Sequence, residues 1–265
     1  MVGVHFENLY LDQIDRRKIA DMVSARKKAG ATNATINRDL TAVSVILGAA
    51  QEWGAVEHNP AKDFGRRTTR ERRDPINPPC DADVSRVIER APGMFSSLIR
   101  FLAETGCRQE EAAGLEWKQI DLKAETATFI KTKTSRPRTI TLEPETARWL
   151  SALPRFLGSP AVFWHDDGSR YANVASRFRE MVKSAQESAQ KAGTEFLPFR
   201  CHDLRHRYAI RELQNGRDIY ALSRHLGHSS VKTTEIYLGH VAGGVGTKSG
   251  TSITVSPRVT ARRES

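Results

Sequence analysis

Thr126-Ala-Thr-Phe-Ile-Lys-Thr-Lys-Thr-Ser-Arg-Pro-Arg-Thr-Ile-Thr-Leu142 is the stretch at which the pattern of the chain changes. Two short runs of β-forming residues, Thr126 to Ile130 and Arg138 to Leu142, are joined by the basic segment Lys131-Thr-Lys133-Thr-Ser-Arg136-Pro137. The reading is a small antiparallel sheet with a cationic hairpin tip. On both sides the apolar period is helical. Downstream, helices are expected from Glu145 onward, including Asn173–Lys191, His202–Gln214 ending at Asn215-Gly216, and Arg217–Leu226 ending at Gly227. Ser229 or Ser230 then caps a short helix that carries Tyr237. Upstream, Asp81 caps a helix through Arg90, Phe95, Leu98, Ile99 and Leu102 form the stripe of a second, and Arg108 to Trp117 makes a third. Further back, Ile14–Ala29 buries Ile19, Met22 and Val23, and Thr35–Trp53 buries Leu40, Val43, Ile46 and Leu47.

Between these two helical regions lies Lys62-Asp-Phe-Gly-Arg66-Arg67-Thr-Thr-Arg70-Glu-Arg72-Arg73, with six basic residues against two acidic ones, closed by Pro75, Pro78 and Pro79. It reads as a basic linker over 66–79 between a helical domain, 1–65, and a larger domain, 80–240; a small, glycine-rich tail, 241–265, follows, within which Ile253–Val255 has strand character. The linker arginines Arg66, Arg67, Arg70, Arg72 and Arg73, with Lys131 and Arg136 of the hairpin, are candidate phosphate-backbone contacts. A solvated connector would have the same composition.

Lys and Arg number 41 against 31 Asp and Glu over 265 residues, a formal charge of +10, which favours a polyanionic partner. Three cysteines without a CxxC pair argue against a disulfide framework and for a reducing compartment. The first twenty residues carry Asp12, Asp15, Arg16, Arg17 and Lys18 and no apolar leader segment, and no uncharged run is long enough for a bilayer. The expectation is a soluble, cytoplasmic protein without a membrane partner. No internal repeat and no glycine-rich nucleotide loop is found.

The chemistry-bearing residues cluster late in the chain. His202-Asp-Leu-Arg205-His206 places a proton-transfer group and a fixed cation three apart on one helix face, with Cβ atoms roughly 5–6 Å apart. Leu226-Gly227-His228 follows, and nine residues later comes Tyr237, whose hydroxyl can act as a covalent nucleophile. Glu104-Thr-Gly-Cys-Arg108-Gln-Glu-Glu111 offers a second guanidinium with a carboxylate one turn on to hold it. Guanidinium forks answer the spread negative charge of a transferring phosphoryl group without a metal. Each residue alone has a plainer reading: an arginine in a surface ion pair, or a tyrosine in an apolar core. Cys201 with His202, His206, His225 and His228 would suit zinc by residue type, but the spacings match no standard structural site.

Taken together these motifs resemble the tyrosine recombinases, or phage integrases, strongly over about residues 80–240 and loosely before that. The resemblance implies a mainly α fold with a small antiparallel β-sheet, an α+β catalytic domain preceded by a short all-α DNA-binding domain. It makes Arg108 and Arg205 the phosphate clamps, Glu111 a supporting carboxylate, His202 a general acid or base near the nucleophile, and Tyr237 the nucleophile. His228 would bond the scissile phosphate and Lys133, or less readily Lys131, would protonate the departing 5′ oxygen. The implied function is site-specific recombination of double-stranded DNA through a 3′-phosphotyrosyl intermediate, without metal or other cofactor. The implied working unit is a homotetramer on DNA, with an accessory DNA-bending or directionality protein in some members. Gln109 and Glu110 depart from the apolar and small residues usual in the family, and Glu110 is expected to point away. Gly239 stands before His240 where many members have a histidine two residues after the nucleophile. The first domain has room for only part of the usual helical DNA clamp. A catalytically inactive DNA-binding protein of the same fold, and a type IB topoisomerase, are the alternatives.

Overall fold

The computed structural model describes residues 3–62, 64–71, 76–130 and 137–242. Lys131, Lys133, Arg136, Arg72 and Arg73 lie outside the described residues, as do the side chains of Arg66 and Arg67 and the tail from 243, with the strand expected over Ile253–Val255. The chain divides into two compact units, Met1–Pro75 and Ile76–Ser265.

In the first unit α1 (Arg16–Lys28) and α2 (Asn33–Glu52) pack as a helical pair. Asp15 caps α1, its carboxylate accepting the Lys18 amide at 2.8 Å, and Thr32 caps α2, its hydroxyl accepting the Thr35 amide at 3.3 Å. Ile19, Met22 and Val23 are buried with Ile36, Leu40, Val43 and Leu47. Ile46, expected in that stripe, is 55% exposed. The buried row runs 36, 40, 43, 47, and position 46 falls one residue, about 100°, off it. The basic segment expected as a connector is also corrected in part. Arg66–Thr69 is a 3-10 turn, and Thr69 is buried. Lys27 Nζ donates to the Thr68 carbonyl (2.7 Å), Asn33 to that of Arg70 (2.9 Å) and Asn37 to that of Thr69 (2.9 Å). Side-chain donors on α1 and α2 thus bind the carbonyls of this run at Thr68, Thr69 and Arg70.

The second unit contains α3 (Asp81–Arg90), α4 (Gly93–Thr105), α5 (Gln109–Ala113), β1 (Ile120–Asp121), β2 (Thr126–Phe129), β3 (Arg138–Thr141), α6 (Pro144–Ser151), α7 (Val174–Lys191), α8 (Cys201–Gln214), α9 (Ile219–Leu226), α10 (Lys232–Glu235) and α11 (Leu238–Ala242). The sheet is antiparallel in the order β1-β2-β3, with Ala127 opposite Ile140 and Phe129 opposite Arg138. Ala127, Phe129 and Ile140 point inward at strand period two, which fixes the register. β1 is only two residues long and escaped the sequence pattern.

Three boundaries differ from expectation. Cys80, not Asp81, is the N-cap of α3; Asp81 is its first residue and its carboxylate is bound by Arg207 of α8. The helix expected from Arg108 to Trp117 stops at Ala113, because Leu115 accepts the Val162 amide (2.9 Å) and Glu116 bridges Ala161, which draws the chain out straight. Tyr237 lies in the turn between α10 and α11 rather than on a helix.

Two apolar clusters hold this unit. The larger gathers Val87, Phe95, Leu98, Phe101, Phe163 and Phe178, each such side chain contributing roughly 1.5–3 kcal/mol on burial. The smaller gathers Tyr208, Leu213, Leu222, Leu226 and Tyr237. Leu204 of α8 belongs to the first and Tyr208, one turn on, to the second, so α8 is the wall they share. Among the described residues no helix is long and apolar enough to cross a membrane.

Candidate active site

The last turn of α9 organises the site. A helix ends with carbonyls that lack amide partners and carry a partial negative charge. Here three consecutive carbonyls each take an arginine. His225 O accepts Nε of Arg138 (2.9 Å), Leu226 O accepts Nη2 of Arg205 (2.6 Å) and Gly227 O accepts Nη2 of Arg108 (2.8 Å). Gly227 ends α9 in the left-handed region (φ 69°), and a Cβ there would stand 2.9 Å from Cδ and Nη1 of Arg138. Gly106 does the same for α4 (φ 61°), and its carbonyl accepts Nη1 of Arg205 at 2.8 Å. A Cβ on Gly106 would lie 2.4 Å from the Tyr208 ring. Both glycines are therefore required by backbone and by close approach.

Glu111 is the carboxylate shared by this cluster. Its Oε2 accepts the Arg108 amide (2.8 Å) and Nη2 of Arg138 (2.8 Å), and its Oε1 accepts Nη1 of Arg108 (3.1 Å) and is bound by Nη1 of Arg138. Burial alone would raise the Glu111 pKa, but Arg138 and then Arg108 outweigh it and hold the group below its ordinary value. Arg205 is 3% exposed, and burial, with Arg108 and Arg138 beside it, pushes its pKa down to about 10. Two guanidiniums, Arg108 and Arg138, thus share one buried carboxylate with Arg205 close by, and the surplus positive charge suits an anion.

The histidines surround this charge in neutral form. His225 Nε2 donates to the Thr105 carbonyl (2.9 Å), and its Nδ1 therefore accepts from Arg217 (3.1 Å). Burial, chiefly, and Arg217 push it down to about 4. It stacks on Tyr208 and serves as a strut. His228 Nδ1 pairs with the Thr234 hydroxyl (2.8 Å), which fixes the ring and leaves Nε2 available to a ligand. Burial, then Arg205, Arg108 and Arg138, push His228 down to about 4. His202 is surface-exposed, yet neighbouring protein still desolvates it, and with His206 and Arg205 this pushes it down to about 4.

Tyr237 is 2% exposed, and burial raises its pKa while Arg205 opposes the rise. Its hydroxyl is 2.9 Å from Nδ1 of His206, not bonded to His202. His202 instead stands edge-on to His206, with centroids 4.8 Å apart.

Of the residues expected from sequence, Arg108, Glu111, Arg205 and His228 come together around the end of α9, with Tyr237 close enough to interact with Arg205. Lys133 lies outside the described residues. Glu110, which is exposed and whose side chain accepts from Gln109 at 3.5 Å, takes no part in the guanidinium contacts described. Two residues escaped the sequence reading. Arg138 looked like a strand residue beside a basic hairpin, and His206 like a neighbour of the motif. Helical spacing offered a signal for His206, one turn after His202; nothing local marked Arg138. A cavity of about 690 Å³ opens beside the cluster, lined by Arg108, Arg205, His202 and the apolar Leu102, Phe178 and Phe199. Among the described residues no group of three or more His, Cys, Asp or Glu is placed to hold a metal ion.

The description of the Phage integrase family fits residues 86–242. The chain belongs to this family, which is that of the tyrosine recombinases. It is 29% identical over 256 residues to the tyrosine recombinase XerC of Yersinia pestis, covering 89% of this chain and 78% of that protein. It is 27% identical over 228 residues to the integrase of Escherichia phage P2, covering 85% of this chain but only 61% of that integrase. Among solved structures, the Tn1549 transposon integrase in complex with transposon right-end DNA superposes with a TM-score of 0.72 at 20% identity, covering 86% of this chain and 82% of that one. A lambda integrase dimer bound to a COC′ core site gives 0.71 at 15%, covering 95% and 71%. At these identities the structural likeness concerns the fold, and it agrees with the mainly helical architecture and small antiparallel sheet expected from sequence.

Proposed function

We propose that this chain is a site-specific DNA recombinase of the tyrosine type, acting on double-stranded DNA in the cytoplasm of a prokaryotic cell. The observation that carries the reading is the surplus of buried positive charge at the end of α9, three guanidiniums to one carboxylate, beside a tyrosine hydroxyl. A scissile phosphate supplies the missing negative charge. Arg108 and Arg205 hold its non-bridging oxygens, His228 bonds it through Nε2, and Glu111 keeps Arg108 in place. Tyr237 Oη attacks phosphorus, the bond to the 5′ oxygen breaks, and a 3′-phosphotyrosyl ester remains. Lys133, in the segment between β2 and β3, is assigned by its motif as the proton donor to the leaving 5′ oxygen. The 5′-hydroxyl of a second strand reverses the step, and the ester conserves the energy of the broken bond. Positioning and charge stabilisation suffice for this chemistry.

The first unit is proposed to grip DNA through the basic run near its end, Arg66, Arg67, Arg70, Arg72 and Arg73, and Lys131 and Arg136 of the hairpin segment to add backbone contacts. The proposed working unit is a homotetramer on paired sites, assisted where direction matters by a DNA-bending protein. The rival reading, a DNA-binding protein of the same fold without chemistry, draws on the burial of Tyr237, whose hydroxyl must reach a phosphate to react.

One assay separates the two. Wild-type protein and Tyr237→Phe are incubated with nicked duplexes tiled across the DNA flanking the coding region, and protein–DNA adducts are sought on denaturing gels. An adduct that requires Tyr237 supports the recombinase and locates its site. Selective, salt-sensitive binding without an adduct supports the binding protein.

A further inference from the structure

The described contacts leave one question about the reacting tyrosine: where its proton goes. Tyr237 cannot form an ester as a phenol without losing that proton, and its burial makes an unassisted phenolate costly. The imidazole assigned near the nucleophile by family pattern, His202, does not touch it. His206 does, with Nδ1 2.9 Å from Oη, within the reach a general base needs. We propose that His206 is a catalytic residue, the general base that takes the Tyr237 proton as Oη attacks the phosphate.

This deepens the recombinase reading and rests on it. The balance is simple. The Oη–P bond forms, the P–O5′ bond breaks, the phenolic proton passes to Nδ1 of His206, and the leaving 5′ oxygen is protonated by Lys133. On rejoining, the 5′-hydroxyl loses its proton to neutral Lys133 as the P–O5′ bond forms, and imidazolium His206 returns its proton to Oη as the phosphotyrosyl bond breaks.

Three features of the surroundings fit the role. His206 is half-buried, and burial, with Arg200, Arg205 and His240, holds its pKa below the ordinary value against the opposing pull of Asp203. It therefore begins neutral and able to accept. The phenol is the stronger acid of the pair, so the proposal requires the tautomer in which its O–H donates to Nδ1 and the ring proton is on Nε2. His206 is also placed by the middle of α8 rather than by a loop, two positions from the Tyr208 ring that packs against Gly106, so the acceptor is held by the same helix that carries Arg205. His202, exposed and edge-on to His206, lies one turn further out.

Two measurements test the assignment. In the first, full-length wild type, His206→Gln and His206→Ala are compared in single-turnover adduct formation on the nicked duplex found by tiling, in its ordinary form and with a 5′-bridging phosphorothiolate at the scissile bond. Glutamine keeps a hydrogen bond to Oη but cannot take a proton. Both variants are expected to be slower by about 100-fold or more on both substrates, with DNA affinity within twofold of wild type. Lys133→Ala, by contrast, is expected to recover on the phosphorothiolate, whose leaving group needs no proton. A His206→Gln rate within threefold of wild type makes the contact merely structural and overturns the proposal. So does recovery of His206→Gln on the phosphorothiolate, which marks an acid, or an alanine variant faster than wild type, which marks a latch that stores the tyrosine. Absence of any wild-type adduct sinks the recombinase reading itself. The second measurement needs no DNA: ¹⁵N-histidine NMR, with the His206 signals assigned by their loss in His206→Gln. An unprotonated, hydrogen-bonded Nδ1 with the proton on Nε2 is expected. A protonated Nδ1 that donates to Oη cannot accept the phenolic proton, and that result overturns the proposal on its own.

Discussion

Glu111→Gln removes the negative charge that Arg108 and Arg138 share, and that Arg205 feels from nearby, while keeping the volume of the side chain. The glutamine carbonyl can still accept one guanidinium, but its NH2 group faces the other, and Arg108, Arg138 and Arg205 are left without a counter-charge. Removing one partner of a buried pair costs about 3–5 kcal/mol. The partial exposure of Arg108 lets water screen part of this, so a loss of about 3 kcal/mol is expected at neutral pH. The pH dependence has a definite sign. Glu111 has a folded pKa below its ordinary 4.5, so its contribution is fully present above that value and is lost as pH falls through the folded pKa. The gap between wild type and Glu111→Gln should therefore hold from pH 8 to 5 and narrow below 4.5. Urea denaturation followed by fluorescence of Trp117, Trp149 and Trp164 in the second unit reads it directly. Phosphate in place of chloride should restore part of the variant's loss, because an anion at the clamp replaces the missing charge. A loss under about 1 kcal/mol, or a gap as wide at pH 4 as at pH 7, would refute the view that Glu111 is the charge on which the clamp is assembled.

Other substitutions follow from the same geometry. Gly106→Ala should destabilise more than Gly227→Ala: its Cβ meets the packed Tyr208 ring, whereas that of Gly227 meets a movable arginine. About 3 kcal/mol or more against about 1–2 is expected from denaturant midpoints, and the reverse order would contradict the close-contact argument. Tyr237→Phe should lose the covalent adduct and cost only about 0.5–1.5 kcal/mol of stability, the worth of one hydrogen bond to His206, with DNA affinity unchanged in filter binding. His225 and His228 have folded pKa values of about 4 against 6.5 unfolded, so the unfolded chain takes up their protons first as pH falls. Stability should drop between pH 6.5 and 4 by up to about 1.4 kcal/mol per pH unit for each; His225→Asn should flatten the slope, which urea midpoints across that range would show.

How much of this was readable beforehand depended on whether a residue's partner was close in sequence. Arg108 and Glu111 are three apart at a helix start, His202 and Arg205 share a helix face, and the Leu-Gly-His turn announces itself by its glycine. All were legible. Arg138 was not, because its partners, Glu111 and the His225 carbonyl, lie 27 and 87 residues away, and no local pattern records such pairings. The contact of His206 with Tyr237 spans 31 residues and was hidden for the same reason, although His206 stood in plain view. The helix that stopped at Ala113 shows tertiary pairing overriding local propensity: Leu115 and Glu116 had helical neighbours but were claimed by Ala161 and Val162.

The arrangement at the end of α9 also explains why the motif residues of this chain act as a set rather than singly. Arginines crowd together only where something negative holds them, and in the free protein that role falls to three helix-terminal carbonyls and Glu111. Carbonyl partial charges fix direction but do not neutralise, since a helix end carries only about half a unit charge. The clamp is therefore under-neutralised by construction. Burial chiefly, and the neighbouring guanidiniums after it, depress the pKa values of Arg205 and His228, and a bound phosphodiester would raise both. A bound phosphodiester then supplies the charge that the helix end and Glu111 leave short. The same charge that draws the phosphate in lowers the cost of a phenolate at Tyr237, since Arg205 is the group that already opposes the rise in its pKa.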